Sequence, residues 1–157
     1  HSAMRPAHLA RRSTFLLYRA FVQGAYLWVY DLEMDNTFRR DPAQYERLRR
    51  VCALRRAWLA AYGQGTFRDT VGLGACAEGL MAKRFLIEGG TLIACAAERP
   101  ADDLTVEVPW PSKTAPCVLL RTGSAPGAEK QVDCEWNHGT VRLLLPAGEE
   151  LAVFILR

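Results

Sequence analysis

The sequence predicts an α+β protein: N-terminal helices with one buried strand, followed by a C-terminal antiparallel β-sandwich. Three observations carry this. Across residues 4–70, apolar side chains recur at helical spacing and arginines fill the positions between them. Within that part, the run Ala25-Tyr26-Leu27-Trp28-Val29-Tyr30-Asp31-Leu32-Glu33-Met34-Asp35 is rich in aromatic and β-branched residues and ends in carboxylates. From Gly79 to Arg157, short apolar stretches alternate with Pro, Gly and Asp turns about every ten residues, the spacing of a sandwich. The chain therefore divides into a helical segment with one strand at 4–70 and a sandwich at 79–157.

The first helix is expected over 6–22. Leu9, Leu16 and Ala20, with Phe15, Tyr18 and Val22, recur at helical spacing, Arg11, Arg12 and Arg19 are left for solvent, and Gly24 ends it. The run 25–32 is too short for another helix and is apolar on both faces, so it reads as a strand covered on both sides. A second helix starts at Asp41, a good N-cap, with Pro42 at the favoured first position and Gln44 placed to complete a capping box. Tyr45, Leu48, Cys52, Leu59 and Tyr62 mark one face, with Val51, Leu54 and Trp58 beside it, and Gly63 stops the helix. Residues 63–79 read as a Gly-rich connector. Strands follow near 82–87, 91–97, 104–108, 117–122, 131–136, 140–145 and 151–156, with Asn137, His138 and Gly139 forming a tight hairpin turn.

Composition narrows the class. Of 157 residues, half are hydrophobic and 24% are charged, the balance of an ordinary globular domain. No apolar run approaches the roughly 20 residues of a membrane span, so no membrane partner is expected. The first residues lack the apolar core of a signal peptide, and a cytoplasmic location is the expectation. Residues 4–70 hold twelve arginines and no lysine against six acids, a net +6, whereas 71–157 carry a net −3. The basic half could suit nucleic acid, but its arginines are spread around the helices and not grouped with Gly, Lys or aromatic residues, which argues against that partner. The five cysteines form no C-x-x-C pair; apolar neighbours suit buried free thiols, and the odd number suits a reducing compartment.

Three carboxylates are the first candidates for chemistry. If the strand continues through Asp31, Glu33 and Asp35, their spacing of two points them to one side, with neighbouring carboxylates about 6–7 Å apart. That is close to the border between retaining and inverting glycosidases, at about 5.5 Å and 6.5–9.5 Å. Asp31 and Glu33 would then act as acid and as nucleophile or base, with Asp35, Trp28 and Tyr30 positioning a sugar ring. The alternative is that these acids pair with Arg39 and Arg40 or cap the next helix. Such chemistry needs no cofactor and no metal, and the sequence contains no phosphate loop, dinucleotide fingerprint, metalloprotease helix or calcium loop. No serine has a nucleophile-elbow context, and His138 reads as a turn residue. Trp110 and Trp136 could form a sugar-binding platform, or they could cover the edge of the sandwich core.

The order of elements resembles the C-terminal region of (β/α)8-barrel glycoside hydrolases, the α-galactosidase-like and related uncharacterised barrel families. The stretch from Phe21 through Glu33 looks like a final barrel strand. Asp41-Pro42 through Tyr62, with Arg55-Arg56-Ala57-Trp58, looks like a final helix. Glu88-Gly89-Gly90-Thr91-Leu92-Ile93 and Leu143-Leu144-Leu145-Pro146-Ala147-Gly148 resemble the closing sandwich. The resemblance implies a protein that hydrolyses O-glycosidic bonds and takes a carbohydrate partner, or else a non-catalytic carbohydrate-binding or accessory sandwich of a larger glycosidase. An Arg-mediated interaction module is a third reading. The family's catalytic acids usually sit on middle barrel strands, upstream of this sequence, so the chain is expected to be a fragment or a truncated frame that still folds. A lone apolar strand needs cover, from the sandwich or from a second copy, so a homo-oligomer through the helical segment is expected.

Overall fold

The computed structural model describes residues 7–25, 41–100 and 102–157, with side chains from Thr14 onward. Helix α1 spans Ala7–Val22 and α2 spans Pro42–Tyr62. The strands are β1 (Thr66–Asp69), β2 (Leu80–Ile87), β3 (Gly90–Ala97), β4 (Thr105–Pro109), β5 (Val118–Thr122), β6 (Lys130–Val132), β7 (Glu135–Asn137), β8 (Thr140–Leu144) and β9 (Leu151–Leu156). They form a six-stranded sheet, β1-β2-β3-β9-β5-β6, and a three-stranded sheet, β4-β8-β7, with antiparallel pairing throughout. The protein is α+β, as the sequence indicates. The strand expected at 25–32 lies outside the described residues apart from Ala25.

Alternation along the strands builds two cores from one sheet. Leu80, Ala82, Ile93, Cys95, Ala97, Val118, Leu120, Ala152, Phe154 and Leu156 face the three-stranded sheet and meet Val106, Val108, Val141 and Leu143. The alternate residues Phe85, Leu92, Ala94, Ala96, Leu151, Val153 and Ile155 face the helices. The molecule is thus three layers deep, and the central strands β3 and β9 are covered on both sides, which explains the unbroken apolar runs Ile93–Ala97 and Leu151–Leu156.

Each helix buries part of the apolar surface that the sequence marks and exposes the rest. On α1, from Thr14 onward, the buried residues are Leu17, Tyr18, Phe21 and Val22, two of them on the expected face, while Phe15 and Leu16 are exposed. On α2 the sheet receives Val51, Leu54 and Trp58, an i, i+3, i+7 stripe, whereas Tyr45 and Cys52 are exposed and Leu48, Leu59 and Tyr62 are half-buried. The helix stops fall where expected. At the end of α1, Ala25 N–H donates to Ala20 O and Gly24 N–H to Phe21 O, with Gly24 at φ +65°, a Schellman closure. Phe21 and Val22 are therefore helical, not the start of a strand. Asp41 Oδ1 accepts from Gln44 N–H at 3.0 Å, the expected cap. The Gln44 side chain is used across the helix pair, accepting from Thr14 Oγ1 at 3.1 Å.

Three further differences have local causes. The connector at 63–79 contains β1, whose four side chains are all exposed at the sheet edge, so no apolar alternation marks it. Its register slips between Phe67 and Asp69, a bulge that leaves Asp69 at φ +55°. The stretch read as one strand over 131–136 is two, broken at Asp133 and Cys134, where the chain crosses from the large sheet to the small one. Among the cysteines, all of which are free, only Cys95 is fully buried; Cys134 is half-buried, and Cys52, Cys76 and Cys117 are exposed. The hairpin is as expected: His138 and Gly139, at φ +46° and +81°, form the two-residue loop between β7 and β8.

Candidate functional site

Asp31, Glu33, Asp35, Trp28 and Tyr30 lie outside the described residues. Along α1, Thr14 bonds Gln44, Phe21 meets the Trp58 ring edge-on at 6.2 Å, and Gly24 O accepts from Arg55 Nη2 at 2.8 Å. Later positions on α1 thus meet later positions on α2: the two helices run parallel. The chain leaves α1 at Ala25 and joins α2 at Asp41, at opposite ends of the pair.

The exit from α1 is held firmly. Gly24 O also accepts from Gln64 Nε2 at 3.4 Å, and Arg55 Nη2 bonds Gln64 Oε1 at 2.8 Å. The Arg55 guanidinium lies over the Trp58 ring, 3.8 Å from its centroid. A Cβ on Gly24 would meet the Phe85 ring at 3.0 Å, so the turn requires glycine for space as well as for φ. At the opposite end, Arg49 and Arg50 bond Glu46 and hold its carboxyl down at about 2. Arg47 pairs with Glu150 at 3.7 Å. These α2 arginines have partners within the chain, which favours an intramolecular role over a polyanion-binding one.

Trp110 and Trp136 sit at the hairpin end of the small sheet. Trp110 N–H donates to Gly139 O, its indole N–H donates to Thr114 O at 3.1 Å, and its ring is half-buried against the sandwich core. It closes that end of the core. Trp136 pairs with Val141 across the β7–β8 ladder and keeps 37% of its surface exposed. The two flank β8 from opposite sides.

A cleft that sequence reasoning missed opens where the chain crosses between the sheets. It has a volume of about 660 Å³, within the range of small-molecule sites. Leu120, Val132, Leu143 and Phe154 form an apolar floor, and Asp103, Asp133, Glu135, Lys130 and Arg142 stand around it. Cys134 also lines it, but burial, then the Asp133 charge, pushes its thiol up, so it is a poor thiolate nucleophile. The only signal in the sequence was Asp133-Cys134, which interrupts an otherwise strand-like run. Among the described residues, no group of three or more His, Cys, Asp or Glu side chains could hold a metal ion, and no helix is long and apolar enough to cross a membrane.

No family model matches this sequence, and no curated protein matches it.

Proposed function

We propose that this is a glycoside hydrolase-like protein in which α1, the segment after it and α2 form a helix–strand–helix unit. Asp31 and Glu33 are the carboxylate pair at the strand's end. The observation that supports this reading is the parallel packing of α1 and α2, carried by Thr14–Gln44 at one end and Gly24–Arg55 at the other. Parallel neighbouring helices require a connection that runs back along their length, as in repeating β/α units. At about 3.3 Å per residue, the eight residues of the apolar run 25–32 reach about 26 Å, enough for that return. Carbohydrate is the substrate class, and Asp35, Trp28 and Tyr30 position it.

A second reading is a non-catalytic accessory or carbohydrate-binding sandwich, favoured by the cleft, which lies in the sheet layers away from the helices. Separate Asp31→Asn and Glu33→Gln variants distinguish the two. Loss of turnover on aryl glycosides with sugar binding retained supports catalysis. Binding without turnover in the unmodified chain supports the accessory role. In either reading the exposed Phe15, Leu16 and Tyr45 on the helices form the surface for self-association.

A further inference from the structure

We infer that the cleft between β6, β7 and β8 is a binding site for a neutral sugar unit. The inference rests on the carbohydrate reading above for the ligand class, and on the cleft itself for the place. Leu120, Leu143 and Phe154 are each 2% exposed and belong to the sandwich core, so they back the cleft from within, and its accessible apolar surface comes from the half-buried Val132 and Pro146 and the exposed Leu144. Around it, the side chains of Asp103, Asp133 and Lys130 make no hydrogen bond or ion pair with any described residue, and Arg142 and Glu135 are only loosely paired at 3.6 Å. Thr105 adds a hydroxyl to the same wall.

This set selects for a particular chemistry. The wall offers acceptors at Asp103, Asp133 and Glu135, and donors at Lys130 and Arg142. An anion would meet the carboxylates and a cation would meet Lys130 and Arg142, so either sign of charge is opposed. Hydroxyl groups donate and accept together, and a pyranose ring presents one C–H face to an apolar floor while its edge reaches polar side chains. The volume suits one ring or two. None of these residues belongs to the Asp31–Glu33 pair, so the cleft would hold sugar away from the carboxylates assigned to hydrolysis.

The test is a methyl NMR titration of the full chain with galactose, lactose, maltose and cellobiose at up to about 10 mM, against the millimolar affinities expected of so small a contact. The Glu33→Gln chain is titrated alongside. Saturable shifts of the Leu120 and Leu143 methyls by at least one sugar, present in both chains, are expected. Replacing Asp103 and Asp133 together by Ala, both exposed and outside the core, should weaken that binding by about tenfold or more, as lost charged hydrogen bonds do. Failure of all four sugars to shift these methyls overturns the inference, as does binding that the double variant leaves unchanged. Cleft binding in a chain that hydrolyses nothing supports the inference and removes the catalytic reading. Hydrolysis with a silent cleft does the reverse.

Discussion

The Tyr18 hydroxyl on α1 donates to Glu150 Oε2 at 2.5 Å, tying the helical layer to the start of β9. Tyr18 is fully buried, and Arg47 of α2 approaches the same carboxylate at 3.7 Å, so three elements meet at one polar contact. Burial first, then the bond to Glu150, raises the Tyr18 phenol above its ordinary value.

Tyr18→Phe should cost about 1.5–3 kcal/mol, the range for a hydrogen bond to a charged group. Urea unfolding measures it. Because the folded-state pKa is raised, the contribution is complete below the ordinary phenol value near 10 and is lost as pH rises beyond it. The unmodified protein should therefore lose stability above about pH 10 more steeply than the Phe variant. Parallel alkaline profiles for the two proteins would contradict the assignment.

Asp41→Ala removes the acceptor for Gln44 N–H and should destabilise the chain by about 1 kcal/mol. Asp41→Asn, which keeps a capping oxygen, should recover most of the loss in the same unfolding experiment.

Both helix boundaries could be read from the sequence because caps act locally: Asp41-Pro42 and Gly24 set φ and satisfy terminal groups whatever lies nearby. The buried face of α2 could not. Tyr45, Leu48, Cys52, Leu59 and Tyr62 make as plausible an apolar stripe as Val51, Leu54 and Trp58, and only the position of the sheet decides between them. β1 was hidden for a related reason, since an edge strand with four exposed side chains carries no alternation. The cleft arises from a crossing between two sheets, and its lining comes from strands far apart in sequence, so no local motif marks it.

Trp58 is the largest fully buried side chain among the described residues, held edge-on against Phe85 at 4.7 Å and Phe21 at 6.2 Å. Trp58→Ala should cost about 3–5 kcal/mol in denaturant unfolding. Its indole N–H has no acceptor among the described residues, so Trp58→Phe gives up no hydrogen bond to them and should cost well under half as much. Equal losses for the two variants would mean that the N–H is paired.

Leu16 is 52% exposed on α1 and Tyr45 is 49% exposed on α2. Sedimentation equilibrium should find a mass above that of one chain, and Leu16→Glu with Tyr45→Glu should return it to the single-chain mass without changing the fold seen by circular dichroism. A single-chain mass for the unmodified protein at high concentration would remove the self-association proposal.

The most direct test of the central claim is turnover of a panel of aryl glycosides by the purified chain, with Glu33→Gln assayed in parallel. The account expects hydrolysis of at least one glycoside, reduced by about a thousandfold or more in the variant, as befits loss of one member of a carboxylate pair. Hydrolysis that persists unchanged in Glu33→Gln, or its absence on every glycoside, would contradict it.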